Sequence, residues 1–379
     1  MTTVYYTHPS LDCLMIADSI VIDQYAVLGQ HGFERSIPSR VYDSFLEFWR
    51  DSGLMNARLV YKYEPAKERR VLSMYAAPNT LDELLWVEKT FNADLFGSND
   101  KQALIASTNR TKSKAKMARL IMTTFPDMAN PRLAVVTKED LQKIAIQKPI
   151  VVKAEYSRGG LGSAVVTSPQ ELARYLGTYA LLPDDITRST EFVIEEYVPP
   201  KNLPAICFFL EEDEIALVYM QDRLCDKLAY RSSKFPTASR QDALYRQGML
   251  IAQQIHADGY RGPIDIEFID ADKLYFCEIN ARHPISIYPH LYGLNKNLPI
   301  WQMHMTSNEP LSFQKLDRAL HTFWYDPYEK KGILPLGIPH FLDQEHTLRM
   351  CIAGYAFPGE ILQEIEERLG RYITCTQQF

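Results

Sequence analysis

The chain has 379 residues, of which 46% are hydrophobic and 23% are charged, and its formal net charge is −6 at pH 7. This is the composition of an ordinary globular protein that is long enough for two or three domains. The acidic balance argues against a general nucleic-acid binder, and no apolar run is long enough to span a bilayer. We therefore expect neither a nucleic-acid partner nor a membrane segment.

The cysteines indicate a reducing compartment. All six are scattered and none forms a Cys-x-x-Cys pair, which is typical of free thiols and does not favour a zinc site. The first residues also lack a basic stretch followed by an apolar one, so no signal peptide is predicted. These features predict a cytoplasmic protein.

About the first hundred residues predict a mixed α/β unit without a sharp chemical motif. Strand-like runs occupy 19–28 and 58–62. Thr80 and Glu83 have the spacing of the N-cap and N3 residues of a capping box, which predicts that a helix begins there.

The segment 110–125 predicts a single helix whose first half is basic. Its lysines, Lys112, Lys114 and Lys116, alternate along the sequence and therefore fan out around the helix. Taken alone, these lysines are explained better by a solvated basic face than by an anion site.

A strand with an internal lysine follows. Lys153 interrupts the apolar strand that begins at 150, and a lysine there needs an anion or a carboxylate as its partner. The glycines of 158–163 tolerate positive φ, so this loop can place several backbone N–H groups around an anion. A Gly-rich loop alone is equally consistent with a hairpin turn, but the combination indicates a phosphate site. It is neither a Walker A loop nor a Rossmann fingerprint.

The middle of the chain alternates helices and strands. Ser168, Pro169 and Glu171 predict a capped helix start, and 192–198 predicts a strand that ends at Pro199-Pro200. The remaining predictions here are a hairpin of 205–210 and 215–220, a charged loop at 222–236 and a helix at 239–258.

The stretch 262–283 predicts a β-hairpin with an unusual placement of acids. Asp265 and Glu267 lie two residues apart on the first strand, and Glu278 and Asn280 lie two apart on the second, so each pair shares a face. A cluster of carboxylate and amide oxygens suits Mg²⁺. Arg282 lies one alternation further along. A surface hairpin with a polar outer face would show the same alternation.

The last part of the chain predicts smaller elements. The irregular, aromatic segment 283–295 has the composition of a substrate wall. The others are a helix at 298–305, extended pieces at 321–326 and 332–337, and a final helix that begins at Pro358-Gly359.

In this order the basic helix, the lysine-bearing strand, the Gly-rich loop, the Ile-Glu-Glu-Tyr-Val strand and the hairpin ending in Glu-Ile-Asn-Ala-Arg resemble the ATP-grasp superfamily of carboxylate–amine ligases, over roughly 112–282. Asn-Ala-Arg-His and the Tyr-Pro segment after it resemble the amino-acid and peptide ligase branch. The resemblance implies an α/β (α+β) fold that holds a nucleotide between two lobes. The implied divisions are an N-terminal α/β domain at 1–107, a small lobe at 108–196, a large lobe at 197–320 and a small C-terminal α+β extension at 321–379, which packs on the large lobe.

The resemblance implies ATP as cofactor and assigns roles to the residues that would bind it. Lys153 would contact the α- and β-phosphates, with Lys112 the preferred second phosphate lysine. The backbone of Glu196 and Val198 would bind the adenine edge, with Glu195 nearby. Asn202 stands where D-alanine–D-alanine ligase has a ribose-binding glutamate, which leaves ribose recognition open. The loop residues that would close on the β- and γ-phosphates are Arg158, Gly159, Gly160, Gly162 and Ser163.

It also implies two Mg²⁺ ions, for which Mn²⁺ could substitute. Glu278 would bridge both ions, Asn280 would bind one, and Glu267 would hold the other. Asp265 takes the place of Glu267 if the register slips by one pleat. Arg282 would act catalytically by orienting the γ-phosphate or the substrate carboxylate.

The implied reaction transfers the γ-phosphoryl group of ATP to a carboxylate, and an amine attacks the resulting acyl phosphate. Such a reaction depends on charge neutralisation, which two Mg²⁺, two lysines, an arginine and loop amides supply. The expected partners are a small-molecule carboxylic acid and an amine, and the resemblance also allows a homodimer.

Other functions stay open at this stage. One is a small-molecule kinase or a bicarbonate-using carboxylase of the same superfamily. A second is a ligase acting on a protein or peptide tail, for which the charged stretch 222–236 would help to form a groove. A third is a non-catalytic nucleotide-binding protein, against which the joint occurrence of Lys153, Glu278 and Asn280 argues.

Overall fold

The fold is that of a computed structural model, which describes part of the chain. The described residues are 4–6, 35–36, 59–60, 70–74, 80–91, 93–158, 160–226, 228–237, 239–282, 299–307, 313–326, 328–336, 347–355, 359–369 and 373–374. The strand predicted at 19–28 and the wall predicted at 283–295 lie outside them.

The strands and helices of this part are numbered in chain order. The strands are β1 Val4–Tyr6, β2 Arg35–Ser36, β3 Leu59–Val60, β4 Arg70–Met74, β5 Ala93–Leu95, β6 Arg132–Thr137, β7 Ile150–Arg158, β8 Leu161–Val166, β9 Glu191–Glu196, β10 Leu203–Leu210, β11 Ile215–Asp226, β12 Ala229–Phe235, β13 Gly262–Asp270, β14 Leu274–Asn280, β15 Ile300–Ser307, β16 Gly332–Leu336, β17 Thr347–Ala353 and β18 Ile373–Thr374. The helices are α1 Leu81–Phe91, α2 Lys101–Lys112, α3 Lys114–Thr124, α4 Lys138–Leu141, α5 Pro169–Tyr179, α6 Asp184–Thr187, α7 Gln241–Ala257, α8 Phe313–Leu320 and α9 Gly359–Leu369.

Two antiparallel sheets dominate the described fold. One has four strands in the order β6-β9-β7-β8. The other has nine strands in the order β14-β13-β10-β11-β12-β15-β17-β16, with β18 beside β15. A parallel sheet β1-β4-β5 and the helix α1 confirm a mixed α/β unit near the N-terminus. None of the helices described combines the length and apolar composition that crossing a bilayer requires.

Each large sheet has a core of its own. The four-stranded sheet packs against α5, where Leu172, Tyr175 and Tyr179 cover the apolar face of its strands. The nine-stranded sheet packs mainly against α7, which contributes Leu244 and Ile251. On β13 of the nine-stranded sheet, Ile264, Ile266 and Phe268 lie in this core, so the opposite face of that strand is left for polar side chains.

Several local predictions are confirmed. Thr80 and Glu83 exchange the two hydrogen bonds of a capping box, at 3.3 and 3.2 Å. Ser168 caps α5 through the backbone N–H of Glu171. The hairpin of 205–210 and 215–220 forms as β10 and β11, the acidic hairpin forms as β13 and β14, and the last helix forms as α9.

The single helix predicted at 110–125 is wrong, because two helices meet at Ser113. The hydroxyl of Ser113 accepts from the N–H of Lys116 at 3.1 Å and donates to Glu155 on β7 at 2.6 Å. A serine that caps a new helix in this way breaks the preceding one. The break therefore places Lys112 at the end of α2, and Lys114 and Lys116 in the first turn of α3.

Three further predictions are wrong. The charged loop at 222–236 is the end of β11 and the strand β12, which pair with each other as antiparallel strands. The helix at 298–305 is the strand β15, which pairs with both β12 and β17. The extended piece at 321–326 begins with a short 3-10 helix, His321–Phe323. In the first two cases neighbouring strands outweigh the local preference.

Candidate active site between the two large sheets

A cleft lies between the four-stranded sheet and the polar face of the nine-stranded sheet. It encloses about 1000 Å³ of space, including open solvent at its mouth. The strands β7, β8 and β9 line one side, and β10, β11, β13 and β14 line the other. Of the predicted site residues, those that line it are Lys153, Gly160, Ser163, Glu195, Glu196, Val198, Glu267 and Glu278.

Lys153 on β7 forms the ionic centre of the side made by the four-stranded sheet. Its Nζ lies 2.7 Å from Oε2 of Glu195 and 3.6 Å from Sγ of Cys277, and its side chain is 9% exposed. Burial acts to lower the pKa of the ammonium group, but Cys277, Glu195 and Glu278 outweigh it and raise that pKa. Lys153 therefore stays charged, as an anion-binding lysine must.

The lysine that lines the cleft with Lys153 is Lys114 rather than Lys112. Lys114 opens α3 just after the break at Ser113, and its Nζ forms an ion pair with Oε2 of Glu278. Lys112 ends α2 on the other side of the break and is not among the described cleft residues, and Lys116 is exposed.

The Gly-rich loop forms the turn of the β7–β8 hairpin. Gly160 and Gly162 both have positive φ, at 87° and 77°, which glycine adopts without strain. Gly160 and Ser163 line the cleft. Gly162 instead packs inward, where an added Cβ would lie 2.8 Å from Ile186. The backbone of Arg158 pairs with Leu161 at the hairpin end, and Gly159 lies outside the described residues.

The acids of the second hairpin form cross-strand pairs. Glu267 lies opposite Glu278, and Asp265 lies opposite Asn280. Ile264 and Ile266 pack in the core, so these polar side chains share the opposite face. The strand pairing therefore places the four predicted metal residues in two adjacent cross-strand pairs on one face of the sheet.

Hydrogen bonds and an ion pair link these cross-strand pairs to each other and to two arginines. Nδ2 of Asn280 donates to Oε1 of Glu267 at 2.6 Å, and the guanidinium of Arg282 donates to Oδ1 of Asn280 at 3.3 Å. Glu267 also forms an ion pair with Arg223 on β11.

Two acids of this hairpin, Glu278 and Asp265, differ in the direction of their pKa shifts. Burial acts to raise the pKa of Glu278, but Lys114, Lys153 and Arg223 lower it to about 2. For Asp265 burial prevails over Arg223 and Arg282 and raises the pKa to about 6. Oδ1 of Asp265 accepts no hydrogen bond from any described residue.

The end of β9 and the segment after it line the cleft, and two backbone N–H groups there already have protein partners. The N–H of Glu196 donates to the carbonyl of Pro131 at 2.7 Å, and the N–H of Tyr197 donates to that of Pro149 at 3.1 Å. Val198 lines the cleft next to them. Asn202 is exposed, and its backbone pairs with Asp270, so its side chain is not among the described cleft residues.

The donor set suits one class of metal. In the described part of the chain, no group of three or more His, Cys, Asp or Glu side chains is arranged to hold a metal ion. Glu267, Glu278 and Asn280 offer two carboxylates and one amide. Mg²⁺ is commonly bound through one or two carboxylates, phosphate oxygens and water. These residues therefore fit Mg²⁺ that arrives with a phosphate ligand.

Comparison with known proteins agrees with this architecture. No family model and no curated protein matches the sequence. Solved structures do match, among them a biotin carboxylase of Campylobacter jejuni in a β-γ-ATP complex (TM-score 0.60, 13% identity, 98% of this chain and 92% of that one). The chain has the ATP-grasp fold.

Two further structures share the ATP-grasp fold. The biotin carboxylase domain dimer of a Hydrogenobacter thermophilus 2-oxoglutarate carboxylase, with MgADP, ADP and bicarbonate, has a TM-score of 0.61 and 12% identity over 98% of this chain and 90% of that one. The N5-carboxyaminoimidazole synthase of Aspergillus clavatus, with ADP and 5-aminoimidazole ribonucleotide, has a TM-score of 0.52 and 13% identity over 79% of this chain and 81% of that one.

Two cationic residues at the cleft or in contact with it do not follow from the sequence pattern. The sequence predicts Arg223 in a charged loop, whereas the length of β11 brings it into an ion pair with Glu267. Arg132, at the start of β6, contacts the cleft residues Glu195 and Cys277. The sequence around Arg132 offers no motif that would have identified it, because its partners come from β9 and β14.

Proposed function

We propose that the chain is an ATP-dependent ligase that activates a carboxylic acid as an acyl phosphate and couples it to an amine, releasing ADP and phosphate. The observation that carries this proposal is the convergence of Lys153 and Lys114 with Glu267 and Glu278 at one cleft. Lysines that bind phosphates and carboxylates that bind Mg²⁺ are the groups that phosphoryl transfer requires. The amide in contact with Glu267, Asn280, completes the donor set.

The proposed nucleotide position follows from the lining of the cleft. The adenine ring would lie between Val151 of one sheet and Leu203 and Ile269 of the other, at its apolar end. The N–H of Glu196 already donates to the carbonyl of Pro131, so the N–H of Val198 would donate to the base. The proposed small lobe is 108–196 and the large lobe 197–320, after an N-terminal domain at 1–107. The C-terminal segment 321–379 contributes β16, β17 and β18 to the sheet of the large lobe.

The phosphates would then lie against the charged end of the cleft. Lys153 would contact the α- and β-phosphates, and we now assign the second phosphate position to Lys114, which lines the cleft. The backbone of Gly160 and the side chain of Ser163 would approach the β- and γ-phosphates. Glu267, Glu278 and Asn280 would hold Mg²⁺, which neutralises phosphate charge when it is bound.

The chemistry assigned to the protein is electrostatic. A carboxylate oxygen attacks the γ-phosphorus and the bond to the β-phosphate oxygen breaks, which gives ADP and an acyl phosphate. The amine nitrogen then attacks the acyl carbon, a C–N bond forms, and phosphate leaves, taking up the proton that the amine loses. Arg282, held against Asn280 at 3.3 Å, would orient the acid or the γ-phosphate. The β7–β8 turn would exclude water from the acyl phosphate.

A second candidate is that the activated acid is bicarbonate. The observation in its favour is that the matched structures include a bicarbonate complex and a carboxyaminoimidazole synthase. A protein or peptide tail as substrate has lost its main support, because the charged stretch 222–236 forms β11 and β12 rather than an open loop. Arg223 there forms an ion pair with Glu267 at the cleft.

A hydroxylamine trap tests the proposal. The protein is incubated with ATP, Mg²⁺, hydroxylamine and a panel of carboxylic acids, and hydroxamate and ADP are measured. One acid or a related group should give both products in equal amounts. Bicarbonate-dependent ADP release without stable hydroxamate would favour the second candidate. ADP release that no acid or bicarbonate stimulates would contradict both. A homodimer, which the family resemblance allows, is checked by sedimentation.

A further inference from the structure

Arg132 is a buried arginine that contacts both large sheets. It begins β6 of the four-stranded sheet, yet its guanidinium donates to the carbonyls of Phe276 and Cys277 on β14, at 3.2 and 2.5 Å. The same group lies 4.5 Å from the centre of the Phe276 ring. Its side chain is 4% exposed. An arginine in this position ties one sheet to the other.

The strand that Arg132 contacts needs partners of this kind. Among the described strands β14 is the outermost of the nine-stranded sheet, so one of its edges is not paired with another described strand. The register of β13 and β14 passes from Glu267–Glu278 to Phe268–Phe276, which leaves Cys277 as a bulged residue. Arg132 therefore donates to two backbone oxygens of this edge strand, directly before Glu278.

Arg132 also reaches the lysine of the cleft through one carboxylate. Glu195, 2% exposed, has Oε1 3.5 Å from Arg132 and Oε2 2.7 Å from Lys153. Lys153 in turn lies 3.6 Å from the thiol of Cys277. The contacts form a closed ring, Arg132–Glu195–Lys153–Cys277–Arg132, that joins three strands of one sheet to the metal-binding strand of the other.

We propose that Arg132 is a positioning residue that shares the charge of Glu195 and so leaves Lys153 able to bind phosphate. Because Arg132 and Lys153 both lie beside Glu195, the negative charge of Glu195 is not balanced by Lys153 alone. Without Arg132, the buried carboxylate would be balanced by Lys153 only and would hold that lysine more strongly, since an unbalanced buried charge is unfavourable. The inference rests on the proposed function insofar as Lys153 is taken to bind nucleotide phosphate.

The test compares variants that separate charge from hydrogen bonding. Arg132→Gln and Arg132→Lys both lose the forked guanidinium, but only lysine keeps the charge. Glu195→Gln removes the charge on which Arg132 is argued to act, and Arg132→Gln/Glu195→Gln removes both. Arg240→Met is the control, because Arg240 also pairs with an acid and donates to a carbonyl, but its acid is Asp270, at 3.1 Å, rather than Glu195.

Calorimetric titration with Mg-ADP, together with thermal unfolding of every variant, gives the readout. Arg132→Gln is expected to weaken Mg-ADP binding by at least about tenfold, whereas Arg132→Lys and the Arg240 control stay within about threefold of wild type. The double variant is expected to bind more tightly than Arg132→Gln. The unfolding temperature is expected to fall in both Arg132 variants, whereas the affinity for Mg-ADP is expected to fall only in Arg132→Gln. The loss of affinity is then not explained by the loss of stability.

Three results would overturn the inference. In the first, Arg132→Gln binds Mg-ADP as wild type does. In the second, Arg132→Gln and Arg132→Lys lose affinity equally, in step with their stability, which a purely structural arginine would give. In the third, the double variant is weaker than Arg132→Gln. Failure of the wild-type protein to bind Mg-ADP would instead refute the proposed function, and this inference with it.

Discussion

Replacing Asp265 by asparagine is expected to stabilise the protein at about pH 7.5. The side chain is 2% exposed, and burial raises its pKa from 3.8 to about 6. At about 1.4 kcal/mol per pH unit, this difference destabilises the ionised folded state by about 3 kcal/mol. An asparagine amide that lacks a full set of partners costs about 1–3 kcal/mol. The expected net gain is therefore between zero and about 2 kcal/mol.

The sign of the pH dependence follows from the raised pKa. Protonated Asp265 is neutral, so wild type and Asp265→Asn should differ little in this respect below the unfolded pKa of 3.8. The advantage of the variant should grow as pH rises from there to about 6 and stay constant above it.

Urea unfolding followed by tryptophan fluorescence, at several pH values across this window, measures the effect. The matched control is Asp270→Asn, a buried acid on the same strand that pairs with Arg240 at 3.1 Å. It should be no more stable than wild type. The reasoning would be refuted if Asp265→Asn were less stable at every pH, or if its difference from wild type did not change across the window.

Three further predictions concern the cleft. Lys114→Met should weaken Mg-ADP binding by about tenfold or more in a titration, because it removes a cation from the phosphate end. Gly162→Ala should lower the free energy of unfolding by about 1–3 kcal/mol in urea, since φ is +77° there and Ile186 lies 2.8 Å from the new Cβ. Glu278→Gln should flatten the loss of stability that wild type shows as pH falls from 4.5 to about 2, because the lowered pKa of Glu278 contributes stability only above that range.

Each of these has a control and a contrary outcome. Lys112→Met should leave Mg-ADP binding unchanged. A larger effect there than at Lys114 would favour Lys112 as the second phosphate lysine. Gly177→Ala, in α5 with no atom near the added Cβ, should be neutral or stabilising; equal losses at both glycines would contradict the steric argument. If the free energies of unfolding of wild type and Glu278→Gln fell in parallel with pH, the neighbouring cations would not be lowering the pKa of Glu278.

The acidic hairpin shows which part of the site could be predicted from sequence. Polar residues two apart on one strand must share a face, so the pairs Asp265 and Glu267, and Glu278 and Asn280, could be predicted. The pairing across the strands could not, because the turn alone would place Glu267 opposite Cys277, and the bulge at Cys277 places it opposite Glu278 instead. The choice between Lys112 and Lys114 could not be made in this way. It depends on Ser113, whose hydroxyl reaches Glu155 on a strand that follows much later in the chain.

The errors in secondary structure have the same origin. β15 has an apolar pattern that also suits a helix, and it is a strand because β12 and β17 lie on either side of it. The charged residues of β12 suggested a loop, yet Lys234 packs over Trp301 in that sheet. Such strands are stabilised by partners distant in sequence, and the ring around Arg132 is assembled in the same way. Local sequence predicts the elements with their own caps and turns, and long-range pairing decides the others.

Titration of wild type and Lys153→Ala with a non-hydrolysable ATP analogue, with and without Mg²⁺, tests the central claim most directly. Lys153 lies 2.7 Å from Glu195 inside the cleft, and its removal takes away the buried cation that would bind phosphate. We expect wild type to bind the analogue more tightly with Mg²⁺, and Lys153→Ala to bind at least about 100-fold more weakly while unfolding cooperatively. Equal binding by both proteins, or binding that Mg²⁺ does not affect, would contradict the assignment of this cleft to an ATP-dependent ligase.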